Sequence, residues 1–194
     1  MQQSFGQDSP EVFACLQWLA KWIVKAGRSD EALQLREDLL AHPWVARNPG
    51  GTAVLGLRAE FAESVGEAGD PGRAVDLLRA VVADRMLLSR APDLDLLCWR
   101  RDLAVWEGKA GAPDAAARRL RELAALAAEE RGPEDRHTIG LVWRMADWTA
   151  RAGHIEQGIA ELKTVLASAR RALGADDETT RSIAESLQRW RDHN

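Results

Sequence analysis

Apolar and small residues recur along this chain in columns that restart every 42 positions. Leu19, Phe61, Leu103 and Met145 form one column, and Ala20, Ala62, Ala104 and Ala146 follow them directly. Two positions further on stand Trp22, Ser64, Trp106 and Trp148, and the dipeptides Ala26-Gly27, Ala68-Gly69, Ala110-Gly111 and Ala152-Gly153 complete the set. Beyond each glycine come Ala32, Ala74, Ala116 and Gly158, then Leu39, Val81, Leu123 and Val165. Spacings of three, four and seven place such residues on one stripe of a helix, so each unit predicts two amphipathic helices flanking its glycine. A period between about 20 and 50 residues is the mark of a stacked repeat.

The pattern predicts nine helices, at about 10–26, 29–41, 52–68, 71–90, 93–110, 113–131, 136–152, 155–173 and 178–192. They make four helix pairs and one closing helix, whose Leu187 and Trp190 occupy the columns of Leu103 and Trp106. A half-repeat of this kind covers the last apolar face, so the array reads as closed at that end. Each repeating glycine suits a left-handed C-cap. Pro71 and Pro113 fit a first helical turn, Asp70 an N-cap, and Ser9-Pro10-Glu11 a helix start. Residues 1–9 are expected to be a flexible tail and 10–194 a single domain.

Large apolar residue, Ala, helix-ending Gly and a second Ala five positions later resemble the core of the tetratricopeptide repeat. Arg131-Gly132-Pro133-Glu134-Asp135-Arg136-His137-Thr138 and Leu173-Gly174-Ala175-Asp176-Asp177-Glu178-Thr179-Thr180 are similar to the linker Leu-Gly-Pro-Asp-His-Pro-Asp-Thr of its 42-residue, kinesin-light-chain-like variety, common in bacterial proteins. The resemblance covers roughly residues 10–194, and the linkers near 48–52 and 91–96 depart from it. It implies an all-α, right-handed α-solenoid whose first helices line a concave groove.

The groove positions implied by the resemblance lie 13, 10, 6, 3 and 2 residues before each glycine. They transfer to Ala14, Gln17, Lys21, Val24 and Lys25, then to Gly56, Ala59, Glu63, Gly66 and Glu67. The third unit supplies Cys98, Arg101, Val105, Gly108 and Lys109; the fourth supplies Gly140, Trp143, Asp147, Ala150 and Arg151. The closing helix adds Ser182, Glu185 and Arg189. Charges of both signs alternate there, and the middle is small: Gly56, Ala59, Gly66, Cys98, Gly108 and Gly140. Glycine within a helix costs about 1 kcal/mol against alanine, so several together imply that space is wanted, for a ligand or for close helix contact.

Composition narrows the chemistry. Twenty-six basic and 30 acidic residues leave a net charge of −4, which argues against a nucleic-acid surface. No long apolar run or signal segment appears, so neither membrane nor export is expected, and a cytoplasmic setting follows with Cys15 and Cys98 reduced. Gly50-Gly51-Thr52 lacks the spaced glycines and lysine of a phosphate loop. The four histidines are scattered, with no second His or Cys at helical spacing, and no histidine accompanies Cys98. No catalytic residue, metal or cofactor is therefore assigned, and the enzyme class has no support.

Eight tryptophans with no tyrosine and three phenylalanines are an unusual aromatic choice. The column Trp22, Trp106, Trp148 and Trp190 reads as packing between helices, whereas Trp143 falls on the groove face with Arg101 one repeat earlier in the same column. The expectation is a non-enzymatic scaffold that holds a peptide or protein segment of mixed charge, with Trp143 either an anchor for it or a ring that stacks on Arg101 and fills a tightly curved groove. The alternative is a small-molecule pocket around Trp143, serving a sensor or an unusual enzyme. Trp18 and Trp44 near the open N-terminal face make a homodimer through that end a third expectation.

Overall fold

The structure is a computed structural model and describes residues 9–88 and 94–192. The expected tail up to Asp8, the predicted helix residues 89, 90 and 93, and His193 lie outside the described residues. Within them there are ten helices: α1 (Pro10–Lys25), α2 (Ser29–Leu40), α3 (Pro43–Arg47), α4 (Thr52–Glu67), α5 (Pro71–Leu88), α6 (Leu94–Lys109), α7 (Pro113–Arg131), α8 (Arg136–Arg151), α9 (Ile155–Ala172) and α10 (Glu178–Asp192). All nine expected helices are present, with ends within two residues of the pattern.

The tenth helix corrects the expected nine. α3 forms in the first linker, where Pro43 takes the first turn and His42 Nδ1 accepts the Trp44 backbone N–H at 3.2 Å. Its purpose is to bring Trp44 onto the core. The Trp44 ring lies 4.5 Å from that of Phe13, against a buried cluster of Phe13, Leu39 and Leu57. Periodicity gave Trp44 no column because, among the described residues, no other linker forms a helix like α3.

Four hairpins share one stop signal. Gly27 adopts φ +76°, its N–H reaches Val24 O at 2.9 Å, and the Arg28 N–H reaches back to Ile23 O at 3.1 Å. That pair of bonds satisfies carbonyls left over at the helix end, and the positive φ is one that a Cβ disfavours. The same two bonds recur at Gly69 with Asp70, Gly111 with Ala112, and Gly153 with His154. Asp70 then caps α5 by accepting the Arg73 N–H at 2.9 Å, Ser9 caps α1, and Asp135 caps α8.

The chain divides into two compact units, one ending at Trp99 and the other beginning at Arg100. In the first, α1 packs on α2, α2 on α4, and α4 on α5. In the second, α7 packs on α8, α8 on α9, α9 on α10, and α10 also touches α8. The alanine column is buried throughout, with Ala20, Ala62, Ala104 and Ala146 each at 0% exposure. Trp99 shares the buried column of Leu57, Leu141 and Ile183. At Trp106 and Trp148 the tryptophan column is buried as expected. At Trp22 the packing expectation fails: the residue is 61% exposed, because no helix among the described residues of the unit covers that face of α1.

Candidate functional site

The second unit holds a half-open depression of about 310 Å³. Trp143, Asp147 and Arg151 line it from one stripe of α8, four residues apart, with Arg144 and Trp148 beside them. α6 contributes Val105 and Lys109, and α10 contributes Ser186 and Arg189. Six residues expected in a groove thus come together here: Val105, Lys109, Trp143, Asp147, Arg151 and Arg189.

Two hydrogen-bonded relays fix its walls. Trp143 Nε1 donates to Ser186 Oγ at 3.0 Å, and Arg189 Nη2 donates to the same oxygen at 3.3 Å. One turn further along, Trp190 Nε1 donates to Asp147 Oδ1 at 2.8 Å, while Arg151 Nε donates to Asp147 Oδ2 at 2.7 Å. The guanidinium over the Trp143 ring belongs to Arg144, at 5.1 Å; Arg101, the cation expected beside it, holds Asp102 at 2.7 Å. Arg151 lies 5.1 Å from the Trp148 ring, and Lys109 Nζ lies 3.7 Å from that of Trp106.

Among the lining side chains four are cationic, Lys109, Arg144, Arg151 and Arg189, and one is acidic. That acid, Asp147, is engaged by Arg151 and Trp190. A site with an immobilised indole wall and an excess of three positive charges favours a carboxylate attached to a flat or apolar body.

The small residues separate into two kinds. A Cβ on Gly108 would meet the Trp148 ring at 2.6 Å, so this glycine permits close contact between α6 and α8. At Gly140, one turn before Trp143, a Cβ would meet nothing within 4 Å, and the same holds for Gly56 in the first unit.

The remaining candidates are placed individually. Gln17 Nε2 donates to Ala53 O at 3.2 Å, Ala59 is buried, Glu63 is half-buried and Glu67 exposed on α4. Cys98 is half-buried and Cys15 exposed, neither of them in a disulfide, and Glu185 is exposed on α10. Lys21 and Lys25 line a second depression, about 240 Å³, with Trp18, Trp22, Val24 and Arg36 of the first unit. Lys21 Nζ sits 5.3 Å from the Trp18 ring and Lys25 Nζ 4.7 Å from the Trp22 ring.

Sequence reasoning missed Ser186 and Arg144, which share the column nine residues before the glycine with Trp18, Glu60 and Asp102. That column changes character at every repeat, which is the signal available for a surface that is not simply core. Among the described residues no group of three or more His, Cys, Asp or Glu is placed to hold a metal ion. No helix among them is long and apolar enough to cross a membrane.

No protein-family model and no curated protein matches the sequence. Solved structures do match in three dimensions. A kinesin light chain from Podosopora anserina with nearly identical TPR-like repeats aligns with a TM-score of 0.76 and 21% identity, over 95% of this chain and 87% of its own. BtubC from P. vanneervenii aligns at 0.61 and 18%, over 86% of this chain and 64% of its own. MamA from Desulfovibrio magneticus RS-1 aligns at 0.54 and 14%, over 97% and 96%. The helix order, the four glycine-capped hairpins and these alignments establish the fold, an all-α solenoid of tetratricopeptide-like repeats.

Proposed function

We propose that this protein is a non-enzymatic binding module that captures a segment of a partner protein in the second-unit depression, with Trp143 as its aromatic anchor. The observation that carries the reading is the Trp143–Ser186 hydrogen bond, which holds a half-buried indole in place beside Lys109, Arg144, Arg151 and Arg189. An immobilised tryptophan loses little freedom on binding and offers large area, as interface anchors do. The site is half-open, which suits a chain running through it more than an enclosed small molecule. Its charge selects a segment in which a carboxylate lies beside an apolar or aromatic residue. The solved repeat proteins support the scaffold role through fold alone.

A peptide array that varies acidic and aromatic content tests this directly. Binding of peptides pairing Asp or Glu with Trp, Phe or Leu, lost in Trp143→Ala with an unchanged melting temperature, is the expected result. Capture of a small metabolite with no peptide binding would move the site to the pocket reading; retention of peptide by Trp143→Ala would refute the anchor.

A further inference from the structure

In the first unit, α1 exposes three large apolar side chains in a row: Trp18 at 63%, Leu19 at 49% and Trp22 at 61%. Their equivalents in α4 are Glu60, Phe61 and Ser64, and there a helix covers them. Arg36 of α2 donates to the Glu60 carbonyl at 3.2 Å and to the Ser64 hydroxyl, and Phe61 and Ser64 fall to 5% and 6% exposure. In the second unit the matching Met145 and Trp148 of α8, against which α7 packs, are each 8% exposed. At Phe61, Ser64, Met145 and Trp148 the preceding helix of the same unit packs on these columns and buries them.

The chemistry beside the exposed strip is cationic. Lys21 and Lys25 stand over the two indoles, and Arg36 lines the same depression with a side chain only 8% exposed. Arg36 Nε is buried without a hydrogen-bond partner. Glu60 meets two of these groups, at 3.0 Å from Lys21 and 3.4 Å from Arg36. The single acid of α1, Glu11, stands in its first turn.

We propose that this face of α1 docks an acidic amphipathic helix of a partner protein, laid along α1 as α2 lies along α4. Apolar residues at spacings of three and four cover Trp18, Leu19 and Trp22. Flanking carboxylates meet Lys21 and Lys25, and one reaches the depression in which Arg36 Nε is unsatisfied. A second copy of this chain is the weaker occupant, because its α1 brings the same lysines to the interface. The surface is separate from the Trp143 site, and either can fail alone.

The test uses a fluorescein-labelled helical peptide, with leucines at positions i, i+3, i+4 and i+7 and glutamates on both flanks, titrated onto the full chain by anisotropy. Binding that weakens with salt, and falls at least tenfold for Trp22→Ala and for Lys25→Glu, is expected; a scrambled peptide of the same composition binds at least tenfold less. Equal binding by the scrambled peptide, by a lysine-flanked version or by both variants overturns the proposal. So does no binding at all. Concentration-dependent dimerisation abolished by Trp22→Ala would give the face to a second copy, and displacement of the probe by millimolar phosphate alone would give it to a small anion.

Discussion

Arg36 donates a hydrogen bond to Ser64 across 28 positions, and in the second unit the same two columns hold Leu120 with Trp148 and Leu162 with Trp190. Both leucines are at 0% exposure, so the first unit has arginine and serine where the second has leucine and tryptophan. The small serine leaves the volume that the guanidinium fills, and Glu60 supplies the counter-charge.

The exchange predicts strong coupling. Arg36→Leu alone strands the Ser64 hydroxyl and costs about 1–2 kcal/mol. Ser64→Trp alone drives an indole into the space of Arg36 and costs about 1–3 kcal/mol through overpacking. The double variant recreates the pair used elsewhere, and its loss is smaller than the sum by about 1 kcal/mol or more. Urea unfolding of the four proteins measures this, and additive effects would show that the two sites are independent.

Two glycines in equivalent-looking helix interiors respond in opposite directions. Gly108→Ala sets a methyl at 2.6 Å from the Trp148 ring, and overpacking of about 1–3 kcal/mol outweighs the helix propensity of about 1 kcal/mol that alanine gains. At Gly140 the space is open, so Gly140→Ala raises stability by up to about 1 kcal/mol. Thermal melts decide it: the expected shifts are downward for the first and upward for the second. A rise for both would mean that α6 and α8 yield freely at Gly108.

Acid sensitivity should concentrate at the linker aspartates. The Asp177 carboxylate is drawn down to about 2, first by its hydrogen bond from Arg136 and then by the Thr179 backbone N–H. Asp135, one period earlier, is lowered chiefly by Arg131. A folded-state value below the unfolded one gives stability that is whole above about pH 4 and disappears as pH falls through about 2. Wild type and Asp177→Asn should therefore differ in denaturant midpoint at pH 7 and converge between about pH 4 and 2. Both groups lie at the surface, so high salt narrows the gap. A difference that persists below pH 2 would assign the effect to lost capping geometry instead.

What the sequence made legible follows from period. Glycine caps, buried alanines and the leucine columns obey a 42-residue register because stacking forces equivalent residues into equivalent surroundings. α3 broke no register and carried no column, so Trp44 stayed unreadable until its ring was seen against Phe13. Trp22 was misjudged for a related reason: its column is core only where a preceding helix covers it. The groove columns found Trp143, Asp147 and Arg151, since spacing alone fixes a helix face. They missed Ser186 and Arg144, whose part depends on which neighbour the side chain meets in space, a relation that one-dimensional spacing does not encode.

The strongest discrimination between charge and shape at the proposed site comes from Asp147. Its two oxygens accept from Trp190 and Arg151, and it is the one acid against four lining cations. Asp147→Asn keeps the size and retains an oxygen for one of these donors, while it raises the local excess from three positive charges to four. An acidic peptide should then bind more tightly, by roughly threefold to tenfold at low ionic strength, with a steeper dependence on salt. A neutral peptide with the same aromatic anchor should change by less than about twofold. If both peptides weaken alike, Asp147 serves to hold Arg151 and Trp190 in position, and geometry rather than charge governs the site.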